Sequence, residues 1–300
     1  MIYTVTFNPS LDYVLQLQTL IPGTINRTTY ENVYPGGKGN NVSVVLANLG
    51  YANIAMGFQA GFTGESLIKM LREYGCQTDY IKLDEGFTRI NVKVNAGEET
   101  EINGQGPVID EKALTALFEK LDLLKKDDIL VLAGSIPSTL PSDIYEKIME
   151  RLDGKEVRIV VDATGQLLLN VLKYHPFLIK PNNHELEEIF ERTLCNKEEF
   201  LACARELQKK GAQNVLISLA GDGAILLTRD GAVYQSSAPK GEVLNSVGAG
   251  DSMVAGFLAG YLESGDYQKA LRLGIAAGSA TAFEYWLAER EKIMKLYESL

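Results

Sequence analysis

The sequence is poor in the residues that cross-link small proteins or bind zinc. It contains three cysteines and two histidines among 300 residues, and no two cysteines form a CxxC pair. An odd number of cysteines without paired spacing argues against both a disulfide framework and a zinc site. A reducing cytoplasm is therefore the expected compartment.

Long apolar runs and basic clusters are also missing. No stretch approaches the roughly 18 consecutive apolar residues of a membrane span, and the strand-like start 1–7 lacks the basic region of a signal peptide. The net charge is -10, with 29 Lys and Arg against 39 Asp and Glu. Such a chain repels nucleic acid, so we expect neither a nucleic acid nor a membrane partner. An anionic substrate would require the few cations to be concentrated in one cleft.

Short apolar runs alternate with amphipathic helical patterns along most of the chain. This alternation predicts an α/β fold with a mainly parallel central sheet flanked by helices, and site residues at the carboxyl ends of its strands. The candidate core strands are 3–7, 53–58, 128–133, 157–162, 177–180 and 215–219. The candidate helices include 40–49, 64–74, 110–124 and 185–192.

Two segments, 12–33 and 87–103, resemble strands without intervening helices. In the second, Arg89, Asn91 and Lys93 alternate with apolar residues before a turn at 95–98, which is typical of a hairpin. We expect a single domain, 1–300, in which these two segments form a small separate sheet that acts as a lid. The alternative is a solvated hairpin with two faces.

The strongest local pattern is the turn Gly248-Ala249-Gly250-Asp251, which runs directly into an apolar helical pattern. Glycines allow a ligand to approach the backbone, and the N–H groups at a helix start attract anions. A carboxylate at this point can accept a proton from a hydroxyl, which suits phosphoryl transfer. On the turn alone, a simple acidic residue at a helix N-terminus is an equal alternative for Asp251.

Three other features are weaker when taken singly. A glycine turn at 36–39 opens a helix but does not match the GxxxxGK[ST] phosphate loop, and 248–253 does not match GxGxxG. Asn182 and Glu185 have the spacing of a capping box, which the sequence alone favours over a hydrated Mg²⁺ site. The turn 218–224 combines two glycines with hairpin chemistry.

Taken in order, these motifs resemble the ribokinase-like (PfkB) family of carbohydrate kinases. The resemblance covers nearly the whole chain through Gly36-Gly37-Lys38-Gly39, Asn182-x-x-Glu185 and Gly248-Ala249-Gly250-Asp251. It implies an α/β sandwich with a small β-lid, MgATP as phosphoryl donor and a sugar hydroxyl as acceptor. The stretches 6–12, 34–42, 88–93 and 99–104 are similar to the phosphosugar branch of the family.

The family implies roles for individual residues. Asp251 resembles the catalytic base, within an anion hole formed by Gly248, Ala249 and Gly250. Asn182 and Glu185 resemble the pair that organises Mg²⁺, through water. The implied substrate-binding residues are Asp12, Gly37, Lys38, Asn41, Arg89, Asn91 and Lys93, with Arg27 as a further candidate. The implied ATP-binding residues are Lys180, Asn182, Glu185, Ser218, Gly221, Gly223, Ser246 and Val247.

The same resemblance implies an acceptor, fructose 1-phosphate at its 6-hydroxyl, with tagatose 6-phosphate as the alternative. A sugar-phosphate sensor without activity is disfavoured because the presumed base is intact. A dinucleotide-dependent oxidoreductase is disfavoured because its glycine fingerprint is missing. Exposed strand edges in the lid make a homodimer through the lids a further expectation.

Overall fold

Two β-sheets and ten α-helices organise residues 1–300 in the computed structural model. The strands are β1 (Ile2–Thr6), β2 (Ser10–Gln16), β3 (Tyr30–Gly36), β4 (Asn53–Ala60), β5 (Gln77–Thr78), β6 (Ile81–Leu83), β7 (Arg89–Asn95), β8 (Glu99–Asn103), β9 (Ile129–Ala133), β10 (Arg158–Asp162), β11 (Leu178–Ile179), β12 (Asn214–Ser218), β13 (Ala224–Leu227) and β14 (Val233–Ser236). The helices are α1 (Lys38–Asn48), α2 (Gly61–Glu73), α3 (Glu111–Leu121), α4 (Ile144–Arg151), α5 (Gly165–Val171), α6 (Asn183–Phe190), α7 (Lys197–Lys209), α8 (Ala249–Ser264), α9 (Tyr267–Ala282) and α10 (Arg290–Ser299).

The central sheet has the strand order β14-β13-β12-β11-β10-β9-β1-β4-β5, and β6 also pairs with β4. The strands from β12 to β5 run parallel, whereas β13 and β14 are antiparallel additions at one edge. All six candidate core strands are present, so the predicted fold class is confirmed. Parallel strands covered on both faces are continuous apolar runs, as β9 shows with five buried residues.

The helices lie on both faces of this sheet and create two apolar cores. Side chains from α1, α2, α8, α9 and α10 form one core, and side chains from α3 to α7 form the other. Strand β9 contributes side chains to both cores, because Val131 points to the first core and Leu130 and Leu132 point to the second. No helix combines the length and the hydropathy that crossing a membrane would need.

The second sheet is small, with the order β3-β2-β7-β8, and it is built from the two segments predicted to form it. The first segment extends a little further than expected, to 10–36, and residues 17–29 connect its strands. Strand register aligns one polar row across all four strands and one largely apolar row on the opposite face. The polar row is Tyr34, Asp12, Asn91 and Asn103, and the apolar row is Val33, Tyr13, Val92 and Ile102.

Helices α8 and α9 pack in direct backbone contact at Gly256. A Cβ added there would lie 2.5 Å from the carbonyl oxygen of Leu273 and 2.8 Å from the Cβ of Ala277. Both contacts are too short for real atoms, so only glycine permits this packing. The start of α8, which carries the predicted anion turn, is thereby held against α9.

We therefore expect Gly256→Ala to destabilise the protein, although alanine is the better helix former by about 1 kcal/mol. Overpacking against a backbone oxygen costs about 1–3 kcal/mol and should outweigh that gain. Urea unfolding measures the difference. The matched control is Gly221→Ala, because nothing lies within 4 Å of a Cβ there. A Gly256→Ala variant more stable than the parent would contradict the proposed packing constraint.

Candidate active site

A cavity of about 940 Å³ lies between the carboxyl ends of the central strands and the polar face of the small sheet. It brings together most of the residues that the sequence singled out. Those lining it are Asp12, Gly37, Lys38, Asn41, Arg89, Asn91, Lys93, Lys180, Asn182, Glu185, Val247, Gly248, Gly250 and Asp251. The cleft gathers four of the protein's cations alongside five carboxylates, so the pairing among them decides which cations can meet an anion.

Asp251 does not cap helix α8. The N-cap is Gly248, which has a left-handed φ of 80° that favours glycine, and no side chain caps the helix. Asp251 is 5% exposed, and its Oδ2 accepts a hydrogen bond of 2.8 Å from Nδ2 of Asn41. Asp251 thus lies in the first turn of the helix, as the alternative reading expected, but its side chain makes no capping hydrogen bond and its carboxylate lines the cavity.

The environment of Asp251 makes it a stronger base than an ordinary aspartate. Burial raises the pKa of its carboxyl to about 6, because the charged form loses hydration. Lys38 opposes this shift, whereas the negative charge of Asp162 adds to it. A carboxyl with such a pKa is ionised near neutral pH and still binds a proton readily.

The first turn of α8 offers free backbone donors beside this carboxylate. The N–H of Ala249 donates to the carbonyl of Ser246 at 3.3 Å, whereas the N–H groups of Gly250 and Asp251 have no acceptor within the chain. The amine of Lys180 lies close by, since a Cβ at Gly250 would be 3.2 Å from its Nζ. An anion at this turn would meet two N–H groups and one ammonium group.

Sequence reasoning missed Asp162, whose carboxylate joins the two lysines of the cavity. It is fully buried at the carboxyl end of β10, with Nζ of Lys180 at 3.3 Å and Nζ of Lys38 at 3.5 Å. Burial opposes ionisation, but the two ammonium groups outweigh it and hold the pKa of Asp162 below its usual value. The signal was available: an acidic residue ends the apolar run 159–161 at the edge where sites form.

Lys38 is the counterpart of this carboxylate. Burial lowers the pKa of its ammonium group, but Asp162, Asp251 and Glu185 together raise it above the usual value. The group therefore stays positively charged at any working pH. It lies at the start of α1, so the glycine turn before that helix delivers a fixed cation to the cavity.

Asn182 and Glu185 form the capping box that their spacing predicts. Oδ1 of Asn182 accepts from the N–H of Glu185 at 2.8 Å, and Oε2 of Glu185 accepts from the N–H of Asn182 at 2.8 Å. The second carboxylate oxygen of Glu185 makes no hydrogen bond, and the residue lines the cavity.

No group of three or more His, Cys, Asp or Glu side chains is arranged to hold a metal ion. A Mg²⁺ ion that keeps most of its waters and binds phosphate oxygens fits such a sparse donor set. The free oxygen of Glu185 is an oxygen donor of the type that this ion prefers.

Three side chains of the small sheet hold the carboxylate of Asp12. Its Oδ1 accepts hydrogen bonds from Oγ of Ser10 at 2.6 Å and from Nδ2 of Asn91 at 3.0 Å. Its Oδ2 lies 3.4 Å from Nζ of Lys93, which is also 3.1 Å from Oε1 of Glu101. The charge of Lys93 is therefore shared between two carboxylates, and Asp12 is fixed in orientation.

Arg89 is the less compensated cation on this face. Its Nε donates to the carbonyl of Asn8 at 3.1 Å and its Nη1 to the carbonyl of Gly104 at 3.2 Å. These backbone contacts hold the guanidinium plane, and Nη2 has no hydrogen-bond partner. Burial lowers its pKa from a very high usual value, so the group remains charged.

Some predicted residues lie outside the cavity. Ser218 is the last residue of β12, and Gly221 and Gly223 follow that strand. An isolated parallel bridge between Asn182 and Ser218 places this turn next to Asn182. The hydroxyl of Ser246 lies 3.5 Å from Oε2 of Glu99 in the small sheet, and Arg27 is exposed on the connection between β2 and β3. The cavity also includes Ser135 and Ser138 after β9, which the sequence did not indicate.

Comparison with known proteins extends these observations. Residues 6–288 match the profile of the pfkB family carbohydrate kinases. The chain is 48% identical over 296 residues to 1-phosphofructokinase of Bacillus subtilis, covering 99% of this chain and 97% of that protein. It is 37% identical over 294 residues to D-tagatose-1-phosphate kinase of Bacillus licheniformis, covering 98% and 96%.

A solved structure gives the same result for the fold. Escherichia coli phosphofructokinase-2 in complex with substrates and products matches with a TM-score of 0.94 and 29% identity, covering 100% of this chain and 99% of that one. The resemblance stated from the three motifs is confirmed, as is the ribokinase-like sheet arrangement. The chain belongs to the pfkB family of carbohydrate kinases.

Proposed function

We propose that this kinase transfers the γ-phosphoryl group of ATP to the 6-hydroxyl of fructose 1-phosphate, which gives fructose 1,6-bisphosphate. The observation that carries the proposal is the buried Asp251 carboxylate, with its pKa raised to about 6, beside the free N–H groups of an anion turn. The name of the Bacillus subtilis relative supports the choice of acceptor.

Asp251 acts as the base in this mechanism. Above pH 6 its carboxylate accepts the proton of the attacking hydroxyl, while Asn41 holds its Oδ2. The N–H groups of Gly250 and Asp251 stabilise negative charge on the transferring group, together with the ammonium group of Lys180. Phosphoryl transfer depends mainly on such positioning and charge stabilisation.

The donor side is assigned to the ends of β11 and β12. Lys180, Asn182 and Glu185 face the phosphates, and Asn182 and Glu185 would hold Mg²⁺ through water. A bound Mg²⁺ ion neutralises charge on the phosphate oxygens. The nucleotide contacts the wall formed by Ser218, Gly221, Gly223, Ser246 and Val247.

On the acceptor side, Asp12 and Asn41 bind sugar hydroxyls, with Gly37 and Asn91 lining the same wall. Arg89 is the principal anchor of the sugar phosphate, assisted by Lys38. Lys93 contributes mainly by orienting Asp12, because Glu101 and Asp12 already compensate its charge.

The alternative acceptor is a tagatose phosphate. The tagatose kinase among the relatives is named for the 1-phosphate, rather than for the 6-phosphate expected from the sequence. Tagatose differs from fructose only in the configuration at carbon 4, so both 1-phosphates present the same 6-hydroxyl and the same anion.

The small sheet serves as the lid of a single kinase domain. Its polar face closes the cavity, and closure would exclude water and so suppress hydrolysis of ATP. ATP and phosphosugars are cytoplasmic metabolites, so the proposed activity belongs in the cytoplasm.

For the wild-type enzyme, we expect kcat/KM to fall about tenfold per pH unit below about pH 6, because Asp251 must be ionised. Asp251→Asn should lower kcat by about three orders of magnitude and abolish that acid limb, with nucleotide affinity nearly unchanged. A coupled assay of ADP release from pH 5 to 9 measures both effects. Turnover of the Asn variant near the wild-type rate would remove Asp251 from the role of base.

Thermal unfolding provides the control for this variant. Because the folded-state pKa of Asp251 lies above that of the unfolded chain, its stability contribution is complete at low pH and is lost as pH rises through about 6. The neutral amide avoids this loss. Asp251→Asn should therefore have a higher Tm than the parent at pH 8, and the difference should shrink towards pH 4.

Arg89→Ala should raise the KM for fructose 1-phosphate by about one to two orders of magnitude, because a charge-assisted hydrogen bond contributes about 1.5–3 kcal/mol. The KM for ATP should change by less than about threefold. Steady-state kinetics with each substrate varied in turn checks the difference. An unchanged KM for the phosphosugar would exclude Arg89 as the phosphate anchor.

A panel of acceptors tests the substrate assignment independently. Ranking fructose 1-phosphate, tagatose 1-phosphate, tagatose 6-phosphate, fructose 6-phosphate and ribose by kcat/KM should place fructose 1-phosphate first. A first place for tagatose 1-phosphate would support the alternative, and phosphorylation of ribose at a similar rate would contradict a phosphosugar site. Release of no ADP with any acceptor would indicate a sensor.

We also expect a homodimer through the lids. The outer face of the small sheet leaves Ile102 63% exposed, with Ile90 at 40% and Val33 at 38%, and β3 and β8 are open edges. Sedimentation velocity at micromolar concentration should show a dimer, and Ile102→Lys should shift it to monomer. A monomeric wild-type protein would refute this assembly. A structure of Escherichia coli phosphofructokinase-2 is described as a tetrameric inhibited form, so the sedimentation analysis should also test for a tetramer.

A further inference from the structure

Four aromatic side chains, Tyr30, Tyr34, Tyr285 and Trp286, form what we call the aromatic seam. The rings of Tyr34 and Trp286 are stacked, with centroids 4.3 Å apart and an interplanar angle of 9°. The rings of Tyr30 and Tyr285 stack at 5.6 Å and 26°, and the hydroxyls of Tyr30 and Tyr34 are 2.8 Å apart. Stacked pairs of this kind contribute beyond the apolar area that they bury.

One side of the seam belongs to the lid. Tyr30 and Tyr34 lie on β3, and Tyr34 is directly opposite Asp12 in the strand register. Two residues after Tyr34, β3 ends at Gly36, which begins the turn that delivers Lys38. Movement of β3 therefore moves the tyrosines, Asp12 and this turn together.

The other side belongs to residues 282–288, which we call the return segment. The carbonyl of Ala282 accepts from the N–H of Leu244 at 2.9 Å, and the carbonyl of Tyr285 accepts from Nδ2 of Asn245 at 3.0 Å. Oδ1 of Asn245 in turn accepts from the N–H of Val247 at 3.0 Å. The return segment thus holds the residues immediately before the anion turn.

Packing brings the same segment against the turn itself. A Cβ at Gly248 would lie 2.7 Å from Cδ2 of Leu287, so the two are in contact. The N–H of Ala288 donates to Oγ1 of Thr281, which is 2.8 Å from Oγ of Ser252 in helix α8. A shift of Trp286 and its neighbours would consequently be transmitted to the start of α8.

We propose that Tyr34 and Trp286 are positioning residues that couple the lid to the anion turn. Binding of the acceptor fixes the position of β3. Through the stacked rings of the seam, the position of β3 determines that of the return segment, which in turn positions Gly248–Asp251 for the phosphoryl donor. The inference rests on the proposed kinase reaction, since it requires one ligand at each end. It goes beyond that reaction by assigning a role to residues that contact neither substrate.

The fluorescence of Trp286 can report on the seam, because Trp286 is the only tryptophan in the chain and is 7% exposed. The variant Tyr34→Leu removes its stacking partner and keeps the probe. The matched control is Tyr13→Leu, on the apolar row of the same small sheet, where the tyrosine hydroxyl donates to Glu31 and the ring takes no part in the seam.

The experiment measures the Kd of a non-hydrolysable MgATP analogue from Trp286 emission, with and without a saturating sugar phosphate. The sugar phosphate used is the member of the acceptor panel that is phosphorylated fastest. In the wild type and in Tyr13→Leu we expect the acceptor to lower the nucleotide Kd by at least about fivefold, a typical coupling between sites. In Tyr34→Leu this ratio should approach one, while the Kd without acceptor changes by less than about twofold and kcat falls.

A wild-type ratio of one, or an undiminished ratio in Tyr34→Leu, would overturn the proposal. If Tyr34→Leu fails to fold, Tyr30→Leu at the partly exposed rim of the seam should reduce the ratio in the same direction by a smaller factor, and an unchanged ratio there would equally overturn it. Failure of the proposed reaction is separate, because it would show as absence of turnover with every acceptor in the panel.

Discussion

Compensation of positive charge by one buried carboxylate underlies the whole site. Lys38 and Lys180 are 142 positions apart in the sequence and meet at one carboxylate, Asp162, whose side chain has no contact with solvent. Burying such charges is costly unless they are paired. The pairing fixes both ammonium groups, and the remaining negative charge helps to raise the pKa of Asp251. The position of β10 between β9 and β11 places Asp162 where it can serve both lysines.

Much of the fold could be predicted because it follows from local patterns. Each of the six candidate core strands is present, and the parallel arrangement followed from strand–helix alternation. The two exceptional segments were also recognisable, because a period of two is distinct from a helical period. What the pattern did not contain was the pairing of β2 with β7, which joins Ser10 to Arg89. Pairing between distant segments depends on tertiary packing that a local period does not encode.

The candidate site could be predicted only where several residues form a motif. The glycine turns and Asn182 with Glu185 stood out because their spacing has a local cause, and the capping box is indeed formed. Asp162 ends β10, and Ser135 and Ser138 follow β9. Each is a single polar residue, so its importance depends on which strand ends are neighbours. The compensation of Lys93 by Glu101 was likewise invisible, since it arises from the hairpin register. Long-range geometry therefore decided which predicted cations remain available for an anion.

The hydrogen bond between Asn41 and Asp251 joins residues separated by 210 positions. Helix α8 packs against α1, and α9 packs against α8; both helices are synthesised after the whole central sheet. During translation the apolar face of α1 stays exposed until the helices that cover it have been synthesised, and exposed apolar surface favours aggregation. High contact order of this kind also slows folding. The enzyme thus becomes competent only when residues 249–300 dock, and a chain interrupted before α8 would expose this apolar face to chaperones and proteases.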